Sequence, residues 1–330
     1  MPPPIILRTV PNVIGNSHMG SRMSNRVLIT GAIGRLGKAV CPRLAQTGRW
    51  DILATDRRES ADSPASVVVA DLLEPAAAGR LITGCDAVVH LANHAHQGAC
   101  EAARLLNENV AMNMNVFHAA MAAGVKHVVF ASTIQVVAGS RSWTQRDQPS
   151  CLPYLPMDGQ LPHCPDNAYA LSKVVSEVML RHMSFGTATS AVAIRFPYLI
   201  TRDELAAYSR QPIRSAPHSW ELLDQCFSFL TTHDAARLIE AILAADLPGF
   251  RVYQPAAAGN TLGASSRQLI EQCYQSVPLK RPIKQIDRLI DIEQIELDTG
   301  WRPEDQWIWM TPTSAAPQAT EPACPHAGPG

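Results

Sequence analysis

The chain has 330 residues, with 28 Lys and Arg against 29 Asp and Glu and a formal charge of −1, which excludes a dedicated nucleic-acid or anionic-surface binder. Apolar residues make up 46% and charged residues 17%, enough for a large core in one big domain or two intimate ones. No apolar run reaches the ~18 residues a membrane span needs, so no membrane partner is expected.

Proline is unevenly spread. Four prolines lie in the first 11 residues, five in the last 19, and five between Pro149 and Pro165. Residues 1–24 carry no secretory apolar region and read as a disordered leader; residues 312–330, mixed Pro, Ala and Gly, read as a disordered tail. The eight cysteines form no C-x-x-C pair, so reduced thiols and a cytoplasmic location are expected. His90, His94 and His96 lack acidic or thiol partners at ligand spacing, and no metal is expected.

In chain order, short apolar runs predict strands at Arg26–Thr30, Ile52–Thr55, Val67–Ala70, Ala87–His90, His127–Ser132 and Ala191–Arg195. Helical segments fall near 35–48, 74–83, 98–123 and 167–184, with later helices at 233–245, 264–275 and 291–298. This alternation predicts an α/β fold, a Rossmann-like doubly wound parallel sheet with a small C-terminal substrate-binding lobe. The expected division is a dinucleotide-binding domain over 25–197, continued in part by 228–254, with 198–311 mostly the substrate lobe.

The first strand runs into Gly31-Ala32-Ile33-Gly34-Arg35-Leu36-Gly37 and then a helix. Glycines so placed allow a tight turn and let a pyrophosphate approach backbone N–H groups at a positive helix N-terminus. The spacing is G-x-x-G-x-x-G. Strand two ends at Asp56, where a carboxylate accepts from a ribose 2′-hydroxyl and favours NAD; Arg57 and Arg58 beside it keep NADP open. Asp71, with Leu72 after it, ends strand three within reach of an adenine edge.

Tyr169 and Lys173 stand four residues apart on one helix face. A free phenol titrates near pH 10, so it needs about three units of help to act as a base at neutral pH. Lys173 and a nicotinamide cation are expected to supply that shift. Upstream, strand five ends in Ser132-Thr133, whose hydroxyls can bond the substrate oxygen that exchanges its proton with Tyr169.

Together these motifs resemble the extended short-chain dehydrogenase/reductases of the NAD-dependent epimerase/dehydratase type. The resemblance extends to Val89-His90-Leu91-Ala92, to Asn109-Val110 with Asn113 and Asn115, to Arg195-Phe196-Pro197, to Thr232-His233-Asp234, and to Leu297-Asp298-Thr299-Gly300-Trp301-Arg302-Pro303. It implies that Thr133 holds the catalytic Ser/Thr position with Ser132 beside it. It also implies that Leu91, Ala92, Asn93, Asn109 and Phe196 line the cofactor with the glycine loop. The helices at 98–123 and 167–184 would pair across a homodimer as a four-helix bundle.

Departures from the family narrow the chemistry. Dehydratases of this type carry S-T-D-E-V-Y-G where this chain has Ser132-Thr133-Ile134-Gln135-Val136-Val137-Ala138, so both acid/base carboxyls are missing. Nucleotide-sugar epimerases usually carry a diphosphate-gripping Arg where this chain has Gln225-Cys226-Phe227-Ser228-Phe229. The FAST of strand five is similar to the FASS of uronate dehydrogenases, whose next residues, Asn-His, are Ile134-Gln135 here. The expected function is an NAD(P)-dependent dehydrogenase of a sugar or sugar acid. The alternatives are a nucleotide-sugar 4-epimerase and, from another class, a non-catalytic cofactor-binding sensor.

Overall fold

Valine, isoleucine and alanine on alternating faces build the sheet. Strands β1 (Asn25–Thr30), β2 (Trp50–Asp56), β3 (Val67–Val69), β4 (Ala87–His90), β5 (His127–Thr133) and β6 (Ser190–Phe196) follow the sequence expectation within a few residues. The computed structural model describes residues 25–60, 66–139, 150–208 and 223–306. The expected leader and tail, and Pro149 at the head of the central proline cluster, lie outside the described residues.

The side-chain alternation of a strand explains the two-faced core. Val27 and Ile29 of β1, Val89 of β4, Val129 of β5 and Ile194 of β6 face one side. Leu28, Val88, Val128, Phe130 and Ala193 face the other. Helices cover both sides: α1 (Gly37–Gln46) packs with a later helix on the first, while α2 (Pro75–Ile82), α3 (Ala102–Ala122) and α4 (Ala168–Ser184) cover the second. The third helix starts at Ala102, four residues later than the sequence suggests. Glu101 caps it there, its carboxylate accepting from the Ala103 and Arg104 N–H groups at 2.9 Å each.

Beyond β6 the chain forms β7 (Tyr198–Ile200), α5 (Arg202–Tyr208), β8 (Phe229–Thr231), α6 (Thr232–Ala244) and β9 (Phe250–Tyr253). The last of these pairs with β6, giving a parallel seven-stranded sheet of order β3-β2-β1-β4-β5-β6-β9. A separate parallel pair joins β7 to β8. These strands of three or four residues carry too little periodicity to read in advance. Then come α7 (Ser266–Cys273) and α8 (Glu293–Thr299).

Two contacts fasten the C-terminal part. Leu155 and Met157 donate backbone N–H groups to Pro278 and Leu289 carbonyls at 2.8 Å each, so the proline-rich segment is stitched to the later chain. The indole Nε1 of Trp301 donates to the Asp234 carbonyl at 3.1 Å. The Asp234 carboxylate in turn accepts from the Glu304 and Asp305 N–H groups. No helix among the described residues is long and apolar enough to cross a membrane.

Candidate active site

The strand order reverses direction between β1 and β4, and the crevice outside the carboxyl ends of these strands is where open α/β sheets bind ligands. A cleft of about 1240 Å³ opens there. It gathers Gly31, Ile33, Gly34, Arg35, Leu36 and Gly37 from the turn after β1, Asp56 at the end of β2 with Arg57 after it, and Asp71 and Leu72 after β3. Leu91, Ala92 and Asn93 after β4, Ser132 and Thr133 of β5, Tyr169 and Lys173 of α4, and Phe196 of β6 complete the set.

The turn after β1 has room only for glycine. Gly31 sits at φ +68°, and a Cβ there would lie 2.8 Å from the Ala92 nitrogen. A Cβ on Gly37 would lie 2.3 Å from the Gly31 carbonyl oxygen. Backbone therefore lines the cleft where α1 begins. The Asp56 carboxylate is fixed by two N–H groups, from Ile33 at 3.3 Å and Arg57 at 2.8 Å.

Beneath the cleft runs a buried polar ladder. The Thr30 hydroxyl accepts from the Leu91 and Ala92 N–H groups at 3.1 Å each and bonds His90 Nδ1 at 2.7 Å. On its other side, His90 Nε2 meets Asn113 Oδ1 at 2.8 Å. Burial pushes the imidazole down to about 3, so it stays neutral, with Nε2 the donor to Asn113. Asn113 Nδ2 donates to Ser176 Oγ at 2.6 Å. Asn109 is fully buried and sits behind the cleft. Its amide accepts from the His94 N–H at 2.8 Å and donates to Ser172 Oγ at 3.1 Å, so it holds the loop that lines the cleft.

Thr133 and Tyr169 come together in the cleft, and the Thr133 hydroxyl accepts from the Gln135 N–H at 3.3 Å. Burial pushes the Tyr169 phenol up to about 12, and the Thr133 hydroxyl pulls it down. Burial also drives Lys173 down to about 7, with the Glu177 charge raising it. Lys173 Nζ donates to the Ala131 carbonyl at 2.7 Å and lies 5.8 Å from the Tyr169 ring centre. The expectation that Lys173 depresses the phenol is therefore replaced: in this arrangement Thr133 does so, because the amine is itself desolvated and turned to a carbonyl.

Ser132 has a different partner from the one its position suggests. Its hydroxyl donates to Glu177 Oε1 at 2.5 Å, away from Tyr169. Burial pushes the Glu177 carboxyl up, but bonds from His163, Arg195 and Ser132 outweigh it and hold the group below the usual carboxylate range. Arg195 Nη2 donates to Glu177 Oε2 at 2.8 Å, and both side chains are only 3% exposed. Glu177 escaped sequence reasoning, although it lies one turn after Lys173 on the same face. The pairing of His94 with Glu108 at 2.6 Å, and of Glu108 with Arg104 at 2.7 Å, on the cleft wall was also missed. Among the described residues one group of three, His233, Asp234 and Glu304, brings metal-type ligand atoms together. There Arg237 Nη1 and two backbone N–H groups already engage the Asp234 carboxylate.

Residues 27–253 match the model of the NAD-dependent epimerase/dehydratase family. The chain belongs to that family. It is an extended short-chain dehydrogenase/reductase in sequence, and NAD is the cofactor of the group. The chain is 31% identical over 157 residues to the uronate dehydrogenase of Pseudomonas putida, a match covering 46% of this chain and 53% of the relative. It is 30% identical over 196 residues to the NAD-dependent glucose-6-phosphate dehydrogenase of Haloferax volcanii, covering 57% and 74%. The crystal structure of uronate dehydrogenase from Agrobacterium tumefaciens superposes with a TM-score of 0.60 at 22% identity, covering 86% of this chain and 85% of that one, a likeness of fold.

The residues present fit a dinucleotide. The three glycines of the turn leave backbone that would hold a pyrophosphate at a helix N-terminus, and Asp56 would offer an anchored acceptor to a ribose hydroxyl. Asp71, Leu72, Leu91, Ala92 and Asn93 would enclose the adenosine and phosphates; Tyr169, Lys173 and Phe196 would flank the nicotinamide half.

Proposed function

We propose that the protein is an NAD-dependent dehydrogenase of a sugar or sugar acid. The observation that carries this reading is the gathering of Thr133 and Tyr169, with Lys173 one turn along α4, in the same cleft as the glycine turn and Asp56. Ile134 and Gln135 follow Thr133, so the carboxyls needed for dehydration have no counterpart there. Nicotinamide bound in the cleft supplies a two-electron hydride acceptor. Thr133 holds the substrate hydroxyl, and Tyr169 takes its proton. Lys173 holds the ribose.

Net NADH formation by the purified chain from NAD and a free sugar or sugar acid tests the reading. Recycling of retained NAD on a nucleotide sugar, with no net NADH, would instead mark a 4-epimerase. Catalytic function untouched by Tyr169→Phe would mark a non-catalytic sensor.

We also take the chain to act as a cytoplasmic homodimer. Met114 of α3 and Leu171 and Val178 of α4 are large apolar side chains left exposed on adjacent helices, and the seven cysteines among the described residues form no disulfide with one another. Light scattering on a Val178→Asp variant, expected to give half the mass, tests the assembly. The division proposed is a cofactor domain of 25–197, completed by part of 228–254, with substrate contacts mostly from 198–311.

A further inference from the structure

Two carboxamides line the cleft beyond the cofactor residues. Gln135 stands on the single helical turn that follows β5. Its orientation is fixed by a chain of bonds. Asn167 Oδ1 accepts from the Ala170 N–H at 2.8 Å as the cap of α4, so Asn167 Nδ2 is the donor toward Gln135 Oε1 at 3.2 Å. Gln135 Nε2 is left as a donor with no partner among the described residues.

Gln225 is 6% exposed, lines the same cleft, and its carboxamide bonds no described residue. The two residues after it, Cys226 and Phe227, hold left-handed backbone at φ 57° and 53°. Neither is glycine, and consecutive positions of this kind cost free energy that the surrounding packing must supply. A Cβ on Gly139 would lie 3.6 Å from both the Asp166 and the Asp224 carboxylates, so the segments bearing Gln135 and Gln225 converge.

The positive groups along the described lining are engaged or lie elsewhere. Arg35 is paired with Glu204 at 2.5 Å, Arg104 with Glu108 at 2.7 Å, and Lys173 with the Ala131 carbonyl at 2.7 Å. Arg57 and Arg58 follow Asp56 at the end of β2, on the adenosine side.

Resting on the dehydrogenase reading above, we infer that the substrate is an uncharged sugar, with Gln135 and Gln225 as the residues that select it. Each carboxamide offers two donors and an acceptor, and a sugar hydroxyl both donates and accepts. A carboxylate or diphosphate brings acceptors alone and a charge that must be desolvated against neutral amides.

The test is initial-rate NADH formation by the full chain with NAD and matched pairs: a neutral aldose, the corresponding hexuronate and the UDP-sugar. The neutral aldose is expected to give the higher kcat/KM. Gln135→Leu and Gln225→Leu should each raise its KM about tenfold with kcat little changed. Gln135→Lys should shift the ratio toward the hexuronate by about tenfold or more. NAD affinity and the unfolding midpoint, measured alongside, separate lost selection from lost folding at the buried Gln225; the less buried Gln135 carries the test alone if the Gln225 variant does not fold. Net NADH with the hexuronate preferred would overturn this inference and leave the dehydrogenase reading intact. An aldose KM unmoved in both leucine variants would remove the two glutamines from selection. Cycling on the UDP-sugar without net NADH would remove both readings.

Discussion

Ser132 and Thr133 are adjacent on β5, and their hydroxyls serve different surroundings: Ser132 bonds Glu177 at 2.5 Å, while Thr133 lines the cleft with Tyr169. Successive residues of a strand point to opposite faces, so the pair divides support from chemistry. Thr133→Ala is expected to lower kcat/KM by about 10²-fold or more with little change in stability. Ser132→Ala removes one donor from a buried carboxylate and should cost about 1–3 kcal/mol of stability. Denaturant unfolding and steady-state kinetics on the two variants check the division.

Lys173 gives a stability prediction with a definite sign. Its folded pKa, about 7, lies below its ordinary value of 10.5. The unfolded chain therefore binds the extra proton between those values, and the penalty is complete below about pH 7 and fades as pH rises toward 10.5. Lys173→Met should raise the unfolding midpoint most near pH 6 and much less near pH 10. The same variant should lose activity by about 10²-fold or more. Calorimetry at the two pH values and a rate measurement check it.

Tyr169 sets the pH dependence of the reaction. With the phenol pushed up to about 12 by burial, its basic form grows as pH rises through the neutral and alkaline range. Oxidation of substrate should climb with pH and show no acid-side plateau near neutrality. Tyr169→Phe should flatten the profile to background.

The proposed contact of Asp56 with the ribose makes cofactor choice testable. Replacing it by Ser removes a negative charge from the ribose pocket while Arg57 and Arg58 remain. The ratio of kcat/KM for NADP over NAD should rise about tenfold or more. Loss of NAD use without any gain for NADP would contradict the assignment.

Gly37→Ala should be damaging for a reason of space. The new Cβ would lie 2.3 Å from one carbonyl oxygen and 2.6 Å from another, both backbone atoms that cannot rotate away. A loss of about 1–3 kcal/mol is expected, with weakened NAD binding seen by fluorescence titration.

The sheet and the cofactor half of the cleft were legible because they depend on local patterns. Valine-rich strands and glycines before a helix are written in adjacent residues. Asn109 shows where such reading stops. The motif placed it against the cofactor, yet its neighbours are His94 and Ser172, 15 and 63 residues away. Glu177 and Arg195 form their pair only because α4 and β6 pack together, and although Arg195 belongs to a motif, Glu177 by itself does not differ from a surface charge in sequence. Gln135 and Gln225 are the least legible. What marks them is a carboxamide group left without a partner among the described residues, the Nε2 of Gln135 and the whole amide of Gln225, a property that exists only after folding.

The ladder from Thr30 through His90 and Asn113 to Ser176 has a consequence for how such a protein can diversify. It bonds the loop under the cofactor, α3 and the catalytic helix α4 into one block. The side chains of Gln135 and Gln225 stand at the margin of that block, the first bonded to Asn167 and the second to no described residue. On the proposed reading, substitutions at that margin alter which sugar binds while every bond of the block stays in place, so selectivity and catalysis can be changed separately.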